Sequence, residues 1–356
     1  MKYLLLLFLF IMFFLSCKKD KVNHTPTPYI LQIPSHFPEM EIPEDNPMTV
    51  EGVKLGRKLF YEKQLSGDNS ISCATCHAPS ASFSDSNQYS FGVNGTIGNR
   101  NSMALINVGW NNFFFWDGRV KTLEEQILIP VEDPIEMHDN WTDVILTLKS
   151  DLSYKNMFFE AFQTTDIDST HAAKAIAQFI RTMISGSSKY DVIYKVENNL
   201  PLNSLEQNIY LTVTPDEIAG YDLFKSLNGA DCFHCHNGPL MQVQKFSNNG
   251  LDLNFADNGR GLITGDPNDN GKFKVPTLRN IEFTAPYMHD GRFSSLDEVI
   301  EHYSSGIQIS PTIDPLIEFA SQGGVQLDAF EKDLIKKFLL TLTDYTFINN
   351  PDFQEP

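Results

Sequence analysis

Two pentapeptides decide the fold of this chain, Cys73-Ala74-Thr75-Cys76-His77 and Cys232-Phe233-His234-Cys235-His236. In this pattern the two thiols bond covalently to the vinyl groups of a haem, and the adjacent imidazole becomes the proximal ligand of the iron. A single copy could instead belong to a zinc site or a redox dithiol, but two complete copies favour haem. The sequence therefore predicts two c-type haems, the first held by Cys73, Cys76 and His77 and the second by Cys232, Cys235 and His236.

The N-terminus has the pattern of a lipoprotein export signal. Lys2 precedes an apolar run from Leu4 to Leu15, which leads into Leu15-Ser16-Cys17. This pattern predicts a signal peptide over residues 1–16, with Cys17 as the lipidated first residue of the mature protein. An anchor helix is the alternative, but crossing a bilayer needs about 20 apolar residues. We expect an exported protein on the periplasmic side, in contact with a membrane only through its lipid anchor.

Composition excludes several classes of partner and scaffold. The chain of 356 residues has a formal net charge of −18 at pH 7. This acidity and the lack of long basic runs argue against binding to nucleic acid. Four of the five cysteines lie in the haem motifs, so no thiols remain for a disulfide framework. An acidic surface suits a basic small cytochrome as electron donor, and a generically acidic surface is the alternative interpretation.

The remaining sequence divides around the two motifs. We expect a proline-rich tether at 17–47, an N-terminal haem domain at 48–205, a C-terminal haem domain at 206–346 and a tail at 347–356. In each domain an amphipathic helix leads through a loop into the haem motif, which indicates duplicated units. The predicted fold class is therefore mainly α, with two cytochrome c-like haem domains in tandem and long loops.

Helix positions follow from apolar periodicity and capping signals. Thr214 has N-cap chemistry, with Pro215 at the first helical position and a glutamate three residues after the cap. The polar stretch Glu197–Asn208 is expected to connect the two domains, and residues 80–112 and 237–280 are expected to form long loops. The predicted helices are Thr49–Tyr61, Asp168–Ser185, Thr214–Phe224 and Leu327–Leu342.

The haem motifs and several shorter blocks resemble the bacterial dihaem cytochrome c peroxidases. They also resemble the relatives of these enzymes, including MauG, the dihaem enzyme that matures the tryptophan-derived quinone of methylamine dehydrogenase. The resemblance implies reduction of hydrogen peroxide with electrons from a small cytochrome or another periplasmic donor. Dimerisation is common in the family, so a homodimer is also implied. The resemblance covers residues 47–345, and its blocks are Ser72–His77, Gly98–Ser102, Phe115–Arg119, Pro134–Met137, Cys232–His236, Leu278–Asn280 and Thr284–His289.

The resemblance also assigns roles to residues around the first haem. Glu136 corresponds to the acid/base that moves a proton between the peroxide oxygens, and Gln126 to a distal hydrogen-bonding group. A carboxyl next to Ile135 and Met137 could have a raised pKa, because burial disfavours its charged form. The alternative is that Glu136 is one of many surface acids. Trp116 corresponds to an indole that carries electrons between the haems, with a purely structural tryptophan as the alternative.

A calcium site at the interface of the two haems is implied as well. Its ligands would be the side chain of Asn101 and the carbonyls of Thr284 and Pro286, an all-oxygen set that Ca²⁺ accepts. The segment Asp266–Gly271 begins like an EF-hand loop. Its closing acid would fall at Thr277, so we interpret the segment as a turn-rich loop.

Two positions depart from the family pattern. Val93 stands where many members have a histidine that caps the first haem, so we expect this haem to be open at rest. His138 is a substitute ligand or, alternatively, a polar loop residue. Tyr303 stands where family peroxidases place a methionine as the sixth ligand of the second haem, and a tyrosine there is the MauG pattern. Met288 is the alternative ligand, and simple packing of Tyr303 against the haem is a further one.

Three functions therefore compete. The first is a dihaem peroxidase that reduces hydrogen peroxide to water. The second is a MauG-like oxidase that acts on a protein or organic substrate through a high-valent dihaem state, and the substitutions at Val93 and Tyr303 favour it. The third is a non-catalytic dihaem electron carrier, in which both haems are six-coordinate and Glu136 has no role.

Overall fold

The computed structural model describes residues 24–356, and these are mainly helical, which confirms the predicted fold class. The predicted signal peptide and Cys17 lie outside the described residues. Two short strands, β1 (Phe246–Ser247) and β2 (Phe273–Lys274), form an antiparallel pair in which Phe246 is opposite Lys274. The α-helices are α1 Val50–Phe60, α2 Cys73–Cys76, α3 Leu123–Glu132, α4 Trp141–Ser150, α5 Leu152–Phe162, α6 Ser169–Arg181, α7 Lys189–Glu197, α8 Ser204–Tyr210, α9 Pro215–Lys225, α10 Gly261–Thr264, α11 Leu296–Ser305, α12 Ala329–Leu340 and α13 Tyr345–Ile348.

Capping side chains set the helix starts where the sequence predicted them. The Thr49 hydroxyl accepts a hydrogen bond from the Gly52 N–H at the start of α1. At the start of α9, Thr214 and Glu217 form a capping box around Pro215, which satisfies backbone donors that the helix leaves free.

Two helices end earlier than predicted, and a segment predicted as a connection contains the start of a helix. α6 and α12 stop at Arg181 and Leu340. The next residue in each case is a threonine whose hydroxyl donates to the carbonyl three residues back and closes the last turn. The expected connection Glu197–Asn208 includes the start of α8, because Asn203 and Glu206 form a capping box.

The same helix crossing occurs in both halves of the protein. α1 packs against α6, and α9 packs against α12. A Cβ added at Gly56 would lie 1.9 Å from the Ala175 carbonyl oxygen, and one at Gly220 would lie 2.0 Å from the Leu334 carbonyl oxygen. Glycine therefore lets the two backbones of each pair touch. This repetition agrees with two cytochrome c-like units built on one plan.

Each crossing lies in its own hydrophobic core, but chain segments extend from one unit to the other. Tyr190 of α7 belongs to the second core, although it precedes the predicted domain boundary. Phe347 and Phe353 of the C-terminal residues belong to the first core, where their ring centroids lie 5.7 and 6.0 Å from that of Phe83. The two units are thus packed together by the segments that flank them.

The proline-rich segment, predicted as a tether, packs against the body of the protein from residue 24 onward. Phe37 and Met40 are buried. His36 Nε2 lies 2.6 Å from Asp191 Oδ1, and Asp191 also forms a buried ion pair with Arg279. Apolar side chains between the prolines explain why this part of the segment is not extended in solvent. Across residues 24–356, no helix is long and apolar enough to cross a membrane.

Candidate functional site

The two haem motifs lie beside two adjoining cavities. Cys73–His77 borders a cavity of about 450 Å³, named here the N-terminal cavity. Cys232–His236 borders a cavity of about 260 Å³, the C-terminal cavity. Both cysteines and the final histidine of each motif line the respective cavity. Trp116 lines both cavities, so they meet at this residue.

The donor groups of both motifs fit covalently attached haem. Nδ1 of His77 lies 3.1 Å from the Phe83 carbonyl oxygen, and Nδ1 of His236 lies 3.4 Å from the Met241 carbonyl oxygen. A proton on Nδ1 leaves Nε2 as the metal ligand, a common arrangement of ligating histidines. Burial lowers the pKa of both imidazoles, to about 4 for His236, which favours the neutral ligating form.

The thiols of both motifs are available for attachment to haem. All four are free cysteines, and none forms a disulfide. Within residues 24–356, no group of three or more His, Cys, Asp or Glu side chains is arranged to hold a metal ion. The free thiols beside each histidine agree with haem in both cavities.

Glu136 lines the N-terminal cavity and is held there by its backbone. Its N–H donates to the Asp133 carbonyl at 3.0 Å, and its carbonyl accepts from the Val93 N–H at 2.8 Å. A Cβ added at Gly92 would lie 1.9 Å from the Ile135 carbonyl oxygen, so the turn that contains Val93 packs directly on this segment. The position of the Glu136 side chain therefore depends on contacts between two loops.

The pKa of the Glu136 carboxyl is raised to about 7. Burial among apolar cavity residues is the largest cause, the negative charge of Asp133 adds to it, and the positive charge of Arg119 opposes it. No hydrogen bond within residues 24–356 stabilises the carboxylate. A carboxyl that is half protonated near neutral pH can both accept and donate a proton.

The first turns of helix α3 supply further side chains to the N-terminal cavity. Gln126 lines it, together with the apolar residues Leu123 and Ile127 of the same helix. The helix starts at a capping box formed by Thr122 and Glu125, which fixes the position of the following turn. Gln126 and Glu136, which the resemblance paired, thus lie on the walls of one cavity.

Trp116 is fixed at the junction of the cavities. Its indole N–H donates to the Asn101 carbonyl at 2.8 Å, and its own carbonyl accepts from the Lys274 N–H at 2.7 Å. The first hydrogen bond lies within the first unit, and the second joins this loop to strand β2 of the second unit. Trp116 and its hydrogen-bond partner Asn101 are therefore predicted site residues that line both cavities.

Two arginines of the N-terminal cavity received no role from the sequence. Arg100 is ion-paired with Asp117 and Asp257, at 2.6 Å in both cases. The guanidinium carbon of Arg119 lies 3.4 Å from the ring centroid of Phe115, and this arginine also pairs with Asp117. Both arginines belong to sequence blocks that carry the family resemblance. Their place in those blocks was the sequence signal that could have identified them as site residues.

Val93 and His138 do not line the N-terminal cavity. Val93 is 3% exposed and packs in the first core. His138 is exposed on a loop and has a left-handed backbone conformation, with φ of 48°. Neither residue is part of the cavity lining. For His138 this placement agrees with the alternative of a polar loop residue.

Tyr303 and Met288 both line the C-terminal cavity and share one neighbour. The Asn249 side-chain amide lies 3.2 Å from the Tyr303 hydroxyl and 3.5 Å from the Met288 sulfur. Burial raises the pKa of Tyr303 to about 12. His302 is directed elsewhere, because its Nε2 lies 3.0 Å from the Asn249 carbonyl oxygen. The geometry therefore brings both predicted ligand candidates into the cavity.

The residues of the predicted calcium site line one cavity. Asn101, Thr284 and Pro286 line the C-terminal cavity near its junction with the other. The Asn101 amide nitrogen donates to the carbonyls of Asn87 and Gln88, which leaves its side-chain oxygen free to face a cation. The segment that begins at Asp266 is instead an exposed turn, in which Asp266 accepts from the Asn268 N–H.

Comparison with known proteins places the chain among dihaem enzymes. A family model described as di-haem cytochrome c peroxidase matches residues 50–199. The cytochrome-c peroxidase IdrP1 of Pseudomonas sp. (strain SCT) is 33% identical over 328 residues, with 83% of each chain covered. The methylamine utilization protein MauG of Methylorubrum extorquens is 33% identical over 275 residues, with 76% of this chain and 73% of that protein covered.

A solved structure agrees with these sequence relatives. A MauG-like protein associated with microbial copper homeostasis superposes with a TM-score of 0.81 at 33% identity, covering 92% of this chain and 99% of that chain. The sequence interpretation as a dihaem oxidoreductase of the peroxidase type, with two c-type haems, is confirmed. The chain belongs to the family of dihaem cytochrome c peroxidases and MauG proteins.

Proposed function

We propose that the protein reduces hydrogen peroxide to water in the N-terminal cavity, with electrons that enter through the C-terminal haem. The observation that carries this proposal is Glu136, a partly buried carboxyl with a pKa raised to about 7 in the cavity that His77 lines. An acid/base group poised near neutral pH is what cleavage of the peroxide bond requires.

The side chains of the N-terminal cavity divide the chemistry between them. When bound, the haem supplies an iron site for peroxide and passes it two electrons. Reduction of one peroxide also consumes two protons and yields two waters. As a carboxylate, Glu136 accepts a proton from one peroxide oxygen and returns it to the other, which then leaves as water. The Gln126 side chain donates a hydrogen bond that orients the peroxide.

Trp116 provides the path between the two haems in this proposal. The indole lines both cavities, and its hydrogen bond to Asn101 holds the ring in one orientation. Electrons that reach the C-terminal haem therefore meet an aromatic ring already in place at the junction.

The ligands at the distal sides of the haems differ in the two cavities. Val93 offers no ligand in the N-terminal cavity, so peroxide has access to an open site without prior reduction. In the C-terminal cavity Tyr303 would ligate the haem iron, with Met288 as the alternative ligand, since both side chains lie near Asn249. A tyrosine at this position favours, as a second candidate function, a MauG-like oxidation of a protein or organic substrate.

Calcium and the cellular setting complete the proposal. The free side-chain oxygen of Asn101 and the carbonyls of Thr284 and Pro286 bind Ca²⁺ and brace the junction. The protein is exported and anchored to a membrane through a lipid on Cys17. A small c-type cytochrome or another periplasmic donor supplies the electrons, and the net charge of −18 suits a basic donor. A homodimer is the proposed assembly.

Spectra of the purified ferric protein with one equivalent of peroxide test the function. We expect a high-spin haem whose spectrum changes within seconds, followed by return to the ferric state on addition of reduced cytochrome c. Two low-spin haems that do not respond to peroxide would refute both enzymatic functions and leave the electron carrier. A peroxide-oxidised protein that persists and does not oxidise cytochrome c would favour the MauG-like function.

A further inference from the structure

Lys274 is a buried lysine at the junction of the two cavities. Its side chain lines both cavities, and the residue is 4% exposed. Strand β2 holds its backbone, which donates to the Trp116 carbonyl at 2.7 Å and pairs with Phe246 across the ribbon. The backbone of Lys274 is therefore held against that of Trp116, at the junction of the two cavities.

The ammonium of Lys274 has no partner within the described part of the chain. Residues 24–356 offer it neither a carboxylate within 4.0 Å nor a hydrogen-bond acceptor, and burial alone lowers its pKa to about 8. A buried cation without a partner costs several kcal/mol, so proteins normally pair such groups. An anion bound in the cavities would supply such a partner.

The charges of the two cavities indicate which haem supplies that anion. Haem carries two propionate carboxylates. In the N-terminal cavity Arg100 and Arg119 could bind propionates of the first haem. Both guanidinium groups also pair with carboxylates of the protein. In the C-terminal cavity Lys274 is the only lysine or arginine among the lining residues that the structure describes. Lys245 lies near Cys235 but already pairs with Asp314 at 3.0 Å, so Lys274 is the unpaired candidate cation for the propionates of this haem.

We propose that Lys274 forms a salt bridge with a propionate of the haem in the C-terminal cavity, beside Trp116, and thereby raises the reduction potential of that haem. A positive charge near the iron favours the reduced, ferrous state, because ferrous iron carries one positive charge less than ferric iron. Lys274 thus acts through the C-terminal haem, where electrons enter the path between the two haems. The proposal depends on the two haems of the family and not on peroxide as substrate, so it can be tested separately.

Redox titration of the holoprotein, with each haem followed by its own absorption bands, tests the proposal on Lys274→Met. We expect the reduction equilibrium constant of the C-terminal haem to fall about tenfold, equal to about 59 mV for one electron. Lys274→Arg should restore most of the potential. Lys272→Met is the matched control, since this lysine is two residues away, pairs with Asp269 and lines neither cavity. An unchanged C-terminal haem potential in Lys274→Met, or a larger shift of the N-terminal haem, would overturn the proposal.

Resonance Raman spectra of the wild type and Lys274→Arg give a second test that does not depend on folding of the methionine variant. The propionate bending band of the C-terminal haem should move when guanidinium replaces ammonium, because the hydrogen bonding of the carboxylate changes. A band that is identical in both proteins would overturn the salt bridge.

Discussion

Replacement of Glu136 by glutamine tests the proton shuttle most sharply. Glutamine keeps the size and hydrogen-bonding capacity of the side chain but can neither accept nor release a proton near pH 7. General acid–base catalysis typically contributes about 10²–10⁴-fold to a rate. We therefore expect the second-order rate constant for reaction with peroxide to fall by about 10²–10⁴-fold in Glu136→Gln.

The raised pKa of Glu136 also predicts how the two proteins depend on pH. The wild-type rate constant should rise as the pH increases towards about 7, because the carboxylate starts the proton transfer, and then level off. The rate constant of Glu136→Gln should not show this rise. Stopped-flow absorption with peroxide in excess measures both profiles.

Stability gives an independent readout of the same carboxyl. In the unfolded chain Glu136 ionises near the ordinary glutamate pKa of 4.5, and in the folded protein its pKa is about 7. Its stabilising contribution is therefore complete below pH 4.5 and is lost as the pH rises through about 7. The loss amounts to at most about 3 kcal/mol. Glu136→Gln should not lose this stability. In denaturant unfolding, the variant should therefore become more stable relative to the wild type as the pH rises from 4 to 8.

A matched control separates a role in proton transfer from a general effect of charge. Glu132→Gln removes the same charge from an exposed position four residues earlier, at the end of α3. Its peroxide kinetics and stability profile should match those of the wild type. Equal peroxide rate constants for Glu136→Gln and the wild type would refute the shuttle.

Four further substitutions test other parts of the structure. Trp116→Phe should leave the peroxide reaction intact but slow steady-state oxidation of cytochrome c, and equal turnover would remove the indole from the path. Tyr303→Phe should change the absorption and EPR spectra of the C-terminal haem while Met288→Leu does not, and the reverse result would assign the methionine as ligand. Gly220→Ala places a Cβ 2.0 Å from the Leu334 carbonyl oxygen and should destabilise the protein by about 1–3 kcal/mol in denaturant unfolding.

Local signals in the sequence were sufficient for the fold class and the haem motifs. The starts of α1 and α9 depend on Thr49 and Thr214 within their own helices, so propensity and capping rules locate them. The position of Glu136 came from a block that the family resemblance identified, and the structure adds its raised pKa and its place in the N-terminal cavity.

Tertiary contacts account for what the sequence did not predict. Phe347 lies in a tail whose sequence does not indicate which core it joins, yet it is buried in the first one. His36 lies among prolines that favour an extended chain, and a buried contact with Asp191 holds it against the protein. Lys274 looks like any other lysine in the sequence, because its burial follows from the meeting of two cavities.

The stoichiometry of peroxide reduction tests the central claim most directly. Purified holoprotein would be supplied with reduced small cytochrome c and a limiting amount of hydrogen peroxide, and the oxidised cytochrome would be counted by absorption. Two cytochromes oxidised for each peroxide consumed, at a rate that Glu136→Gln abolishes, is the predicted result. Consumption of no peroxide, or oxidation of cytochrome c at the same rate by Glu136→Gln, would contradict reduction of peroxide in the N-terminal cavity.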